Sequence, residues 1–178
     1  MEFESFPKMA RFSRECVITE KIDGTNSQIC IGEDGSFFVG SRNNWITPEK
    51  DNYGFARWAY ENKEELTKLG PGRHFGEWWG SGIQRRYWLD RKVFSLFNTS
   101  RWSDERPACC DVVPILYKGM FSEEAIYTTL DKLRTHGSVA SAGFMKPEGI
   151  IIYHVAAGVG FKMTLEKDEV PKTISGLR

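Results

Sequence analysis

The chain has 178 residues, 40% of them hydrophobic, and its 24 Lys and Arg balance 24 Asp and Glu, so the formal net charge is zero. That length fits one domain with a real core, and the balanced charge excludes a protein that grips long nucleic acid over its whole surface, though not one with a local basic groove. No apolar run reaches the length of a membrane span, the acidic start Met1-Glu2-Phe3-Glu4 is no signal peptide, and four cysteines without C-x-x-C spacing read as reduced thiols, so the expectation is a cytoplasmic protein with no membrane partner.

Phe3 to Phe12 mixes aromatic and basic residues and points to no particular structure. Cys16 to Thr19 is predicted as a strand from its β-branched content, and Ser27 to Ile31 as a second from its alternation. They flank Glu20-Lys21-Ile22-Asp23-Gly24-Thr25-Asn26, which sets an amine between two carboxylates at the end of a strand, facing a cavity lined by the sheet. Alone, K-x-D-G is also accounted for by a Lys-rich surface turn. Gly32 to Gly35 is predicted as a hairpin turn into a strand over 36–40, which would bring Arg42 back beside Lys21 and Asp23, unless Arg42 is simply solvated.

From Tyr53 to Leu69 the apolar residues Phe55, Trp58, Ala59, Leu66 and Leu69 keep helical spacing, closing at Gly70-Pro71-Gly72. In the next strand Glu77 stands among aromatics, where an unpaired carboxylate is costly; it needs a partner, and a sugar hydroxyl would serve. The loop over 81–87, with Arg85 and Arg86, reads either as a phosphate contact or as a solvated basic loop. A strand over 93–97 puts Phe94 and Leu96 on one face and Val93 and Phe97 on the other. Val112 to Tyr117 is predicted as a further strand after a polar surface loop, and Ser122 as the N-cap of a helix closed by Gly137. Ser138 to Gly143 is small and flexible in composition. Glu148 then stands at the mouth of a buried strand over 150–153, as a metal-facing carboxylate or a simple turn glutamate. A hairpin strand over 159–164 and a polar, peripheral tail follow, with no repeat and no second domain.

Together these pieces resemble the covalent nucleotidyltransferase superfamily of polynucleotide ligases and messenger-RNA capping enzymes, in the family's motif order. The nucleophile motif is Lys21-x-Asp23-Gly24, followed by Ser41-Arg42, Phe75-Gly76-Glu77, an aromatic strand motif placed at Phe94, Glu148-Gly149 and finally Lys162. The fuller Glu20-Lys21-x-Asp23-Gly24-Thr25-Asn26 and Gly76-Glu77-Trp78-Trp79-Gly80 are most similar to the ATP-dependent RNA ligase branch. Two features depart from the pattern: Thr164 stands where the closing Lys-x-Lys has its second lysine, and the chain stops soon afterwards.

The resemblance implies an α+β fold, antiparallel β-sheets flanked by helices, forming a nucleotidyltransferase (ATP-grasp-like ligase) core. The expected organisation is a single adenylation domain over 1–178, without an oligonucleotide-binding barrel or a C-terminal helical domain. The implied nucleophile is Lys21, whose amine must be neutral to attack; burial and a nearby cation such as Arg42, Lys162 or a metal ion would favour that form. The implied reaction uses ATP and Mg2+ (or Mn2+), passes through lysyl-AMP, and joins RNA 5′-phosphate and 3′-hydroxyl ends. Glu148 and Asp23 would hold the metal, Glu77 and Arg42 the ribose and Phe94 the adenine. Lys162 would bind phosphate, and Glu20 and Asn26 would complete the nucleotide and end contacts. Implied partners are broken RNA ends and a partner protein that adds substrate grip.

Overall fold

The structure, a computed structural model, describes residues 1–166, and the tail expected to be peripheral lies outside them. Two sheets stand face to face. The first orders β10 (Val159–Thr164), β9 (Gly149–His154), β1 (Glu15–Lys21) and β8 (Ile115–Met120), all antiparallel. The second orders β4 (Trp45–Ile46), β3 (Phe37–Ser41), β2 (Thr25–Ile31), β5 (Gly72–Gly80), β6 (Lys92–Leu96) and β7 (Asp111–Val112), antiparallel except for the parallel β6–β7 pair. The antiparallel sheets and flanking helices inferred from the sequence are therefore observed.

Each sheet buries its outer face against helix. Behind the six-stranded sheet, α1 (Phe55–Glu61), α2 (Lys63–Leu66) and a 3-10 turn over Thr67–Leu69 contribute Phe55, Ala59, Leu66 and Leu69 to a core with Ile29, Val39, Trp78 and Phe94. A single helix is predicted over this span. It breaks at Asn62, whose side-chain amide donates to the Trp58 carbonyl at 2.8 Å, in competition with the main chain. Behind the four-stranded sheet, α3 (Glu123–His136) packs Ile126, Leu130 and Leu133 on Cys16, Ile18, Ile150 and Ile152. Its ends are those the sequence predicts: Ser122 Oγ accepts from the Ala125 N–H at 3.2 Å, and Gly137 at φ 82° closes the helix.

The chain crosses between sheets where the sequence suggests continuity. The strands flanking Lys21 do not pair with each other: β1 lies in the four-stranded sheet and β2 in the six-stranded one. Between them Ile22 is buried in a junction cluster with Trp79, Tyr87, Val93, Val113 and Phe144. Gly24 passes flush against β5, where a Cβ would lie 2.4 Å from the Trp78 carbonyl oxygen. The strand expected over 112–117 is likewise two strands. The Val113 N–H donates to the Leu96 carbonyl, the Pro114 carbonyl accepts from Glu20 N–H, and the chain steps across from β6 to β1. Residues 1–11 form no regular structure.

Candidate active site

The inner faces of the two sheets enclose a cleft of about 1610 Å³. Ligand pockets are commonly roughly 300–1,000 Å³, so the cleft has room for a nucleotide and for part of a second substrate. Strand alternation decides which side chains enter it. On β1, Cys16, Ile18 and Glu20 point to the core behind the sheet, while Val17, Thr19 and Lys21 line the cleft.

Lys21, the last residue of β1, lies opposite Gly149 of β9. That pairing brings Nζ to Glu148 Oε2 at 2.5 Å, with Glu148 buried at the cleft wall. Gly149 has φ 159°, and a Cβ there would lie 2.1 Å from the Met163 carbonyl oxygen, so only glycine lets β10 close beside Glu148.

Across the cleft, register places Asn26 of β2 opposite Glu77 of β5. Glu77 Oε1 accepts from the Gly24 N–H and Oε2 from Asn26 Nδ2, both at 2.9 Å. The partner that a buried carboxylate requires is thus supplied first by Gly24 and Asn26. Burial pushes the Glu77 carboxyl up to about 7, although the Gly24 N–H and the charge of Lys21 oppose the rise.

Arg85 Nε donates to Asp23 Oδ2 at 3.0 Å, and its Nη1 to the Lys146 carbonyl at 3.0 Å. Tyr87 Oη accepts from the Asp23 N–H at 2.9 Å, and burial raises the pKa of its hydroxyl. The loop over 81–87 therefore fixes the loop that follows Lys21. Arg85 had an ambiguous signal in sequence, and Tyr87 had only its presence in a basic loop.

The other expected residues divide. Arg42 and Lys162 line the cleft and are exposed at its rim; the group that meets Asp23 is Arg85, not Arg42. Thr164 also lines the cleft, and its hydroxyl donates to the Glu166 carbonyl at 2.9 Å. The Glu20 side chain turns away from Lys21: its carboxylate accepts from Ser138 Oγ and from the Val139 and Ala140 N–H groups at 2.6–2.9 Å. Burial raises its pKa, and these bonds oppose the rise. They pin the segment that composition marks as flexible. Phe94 is corrected outright. It is fully buried in the core beside Phe55 and Trp58, on the far face of β6, while Phe97 lines the cleft. The alternation gives the two faces of this strand; which one meets the cleft depends on packing against α1.

Among the described residues, no group of three or more His, Cys, Asp or Glu side chains converges to hold a metal by itself. Mg2+ needs no such cage, because one or two carboxylates plus substrate phosphates and water suffice. Glu148 fits that role as a carboxylate beside the amine. Asp23, expected to share the ion, has its Oδ2 paired with Arg85 Nε at 3.0 Å.

A lysine at a strand end, between facing sheets and ringed by Glu148, Glu77 and Asn26, defines a nucleotidyltransferase-type core. The family model for RNA ligase matches residues 14–164, and the chain belongs to the RNA ligase family. Among solved structures, a mutant Naegleria gruberi RNA ligase with AMP and Mn is similar at 22% identity and TM-score 0.65, over 85% of this chain and 49% of that one. A second mutant of that protein, with ATP and Mn, gives 22% and 0.64 over 84% and 49%. The same ligase with PPi gives 22% and 0.63 over 84% and 49%. The chain thus spans about half the length of these ligases. The search of curated proteins finds no match. No helix among the described residues is long and apolar enough to cross a membrane.

Proposed function

We propose that the chain is the catalytic core of an ATP-dependent RNA ligase, acting in the cytoplasm on broken RNA. One observation carries the reading: Lys21 Nζ, held by Glu148, shares a two-sheet cleft with the Glu77–Asn26 pair, in a chain of the RNA ligase family. In this reading the Lys21 lone pair attacks the α-phosphorus of ATP. An N–P bond forms, the bond to pyrophosphate breaks, and Glu148, already hydrogen-bonded to Nζ, is placed to accept the proton. A 5′-phosphate oxygen of RNA then takes the AMP, breaking the N–P bond and returning a proton to the amine. Finally a 3′-hydroxyl attacks that 5′-phosphorus, giving its proton to solvent water, and the bond to AMP breaks as AMP leaves.

The chain's residues orient these in-line displacements. Glu77 has lone pairs left for ribose hydroxyls after its two internal bonds, and Arg42 and Lys162 offer positive charge at the rim. Phe97 replaces Phe94 as the ring available to adenine. A divalent cation at Glu148 would supply charge against phosphate oxygens. A partner protein that adds grip on RNA belongs to the same reading.

The test is incubation with magnesium and α-labelled ATP or GTP, followed by denaturation. Label from ATP that survives denaturation, and is lost in Lys21→Ala, is the expected result, with nicked RNA sealed in preference to nicked DNA. Label from GTP alone would move the protein to capping-type chemistry. No label from either nucleotide would leave a nucleotide-binding protein without turnover.

A further inference from the structure

The cleft face of the six-stranded sheet continues beyond the cavity. Register places Gln28 opposite both Phe75 and Gly40, Cys30 opposite both Arg73 and Phe38, and Gly40 opposite Trp45. With the two-residue period of a strand, Trp45, Phe38, Arg73 and Phe75 all share the face that carries Asn26 and Glu77. These rings are not core: Phe38 and Trp45 are each 50% exposed and Phe75 51%.

They are also organised. The Phe38 and Trp45 ring centroids lie 5.7 Å apart, and the Arg73 guanidinium sits 5.5 Å from the Trp45 ring. Gln28 Oε1 accepts from Arg73 Nη1 at 3.2 Å, which holds the guanidinium over the sheet. Moving along this face from Trp45 toward the cavity, the first carboxylate is Glu77 itself; Arg73 and Arg42 are the charged groups before it. Arg73, Phe75 and Arg42 also line the catalytic cleft, so the platform and the cavity are one continuous surface.

Exposed rings interleaved with arginine on an open sheet match single-stranded nucleic acid, whose bases stack on the rings while its phosphates meet the cations. From β5 across β2 and β3 to β4 is three strand spacings, about 14 Å, or roughly two to four nucleotides of a stacked or extended strand. We propose that the face formed by Phe38, Trp45, Arg73 and Phe75 binds the single-stranded RNA that leads to the end being joined. The proposal rests on the ligase reading of the cleft and adds to it where the strand runs.

The test pairs two measurements on the full chain: anisotropy of a fluorescein-labelled ten-nucleotide oligouridylate, and denaturation-stable label from ATP. Loss of a stacking ring weakens binding roughly 5- to 150-fold per base. The double variant Phe38→Ala/Trp45→Ala is therefore expected to lose at least about tenfold in RNA affinity, with labelling of Lys21 unchanged, which also shows that it folds. Trp45→Phe, which keeps a ring, should retain binding. Arg73→Gln should lower the slope of log affinity against log salt by about 0.7. Unchanged RNA affinity in the labelling-competent double variant would overturn the proposal. So would a wild-type chain that binds no oligonucleotide, the result expected if the face docks a protein, or one that prefers a deoxyoligonucleotide of equal length. RNA binding that depends on these rings, in a chain that never takes label from ATP, would sink the ligase reading and leave the platform standing.

Discussion

On the four-stranded sheet the functional side chains that reach the cleft are two lysines and a glutamate: Lys21 on β1, Lys162 on β10, and Glu148 just ahead of β9. On the six-stranded sheet they end in an amide, exposed rings, rim arginines and a carboxyl raised to about 7. In the proposed reading, one wall makes and breaks a bond at phosphorus, and the other holds a nucleotide and a strand. Their relative placement is fixed by the junction cluster of Ile22, Trp79, Tyr87, Val93, Val113 and Phe144, and by the Arg85–Asp23 pair. On that reading, chemistry and recognition should be separable by mutation, although they share one cleft.

The largest expected effect breaks one wall and spares the other. Glu148→Gln should slow formation of the lysine–nucleotide bond by at least about 100-fold, with little change in the ATP concentration for half-maximal rate. Asn26→Ala should instead raise that concentration by roughly tenfold and slow the maximal rate less. Single-turnover labelling across an ATP series separates the two. Equal effects on rate and half-saturation in both variants would end the division of labour.

Next in size is a pair of phenylalanines, Phe94 on β6 and Phe97 just past its end. Phe94→Ala should cost about 3–5 kcal/mol of stability in urea unfolding. Phe97→Ala should stay within about 1 kcal/mol, because its ring is already partly exposed, and should weaken ATP use instead. A stable Phe94→Ala variant with poor ATP affinity would return adenine to the face of β6 that the fold buries.

The pH dependence of stability sharpens the description of Glu77. Below the ordinary carboxyl range Glu77 is protonated in both folded and unfolded chains. Between there and about 7 the folded chain alone keeps the proton, so the stabilisation falls as pH rises and is lost above about 7. A shift of this size corresponds to about 3 kcal/mol. Unfolding midpoints of Glu77→Gln should therefore fall less steeply than wild type between pH 5 and 7. Parallel curves would mean that the Glu77 carboxyl is not held in its neutral form by burial.

The smallest effect concerns Glu20, the residue before Lys21. Glu20→Gln removes a buried acceptor of three hydrogen bonds and should cost about 1–3 kcal/mol. Faster proteolysis within 138–145 should accompany the loss, while ATP half-saturation stays near wild type. A change in ATP half-saturation with no change in cleavage would place the Glu20 side chain on the nucleotide after all.

Much of this molecule follows from local sequence. The hairpin of β2 and β3, the alternation along β1, the Ser122 cap and the Gly137 stop are decided within a few residues, by side-chain period and backbone preference. The family resemblance carried by Lys21, Glu77, Glu148 and Lys162 implied one shared cleft, and all four line it. Tertiary structure decided what depends on contacts distant in sequence. It assigned β1 and β2 to different sheets and split the strand expected over 112–117 at Val113 and Pro114. It also turned Glu20 toward residues 138–140 and chose Phe97 over Phe94 for the cleft. A strand's period gives two faces but not which of them is wet, because that choice is made by whatever packs on the other side.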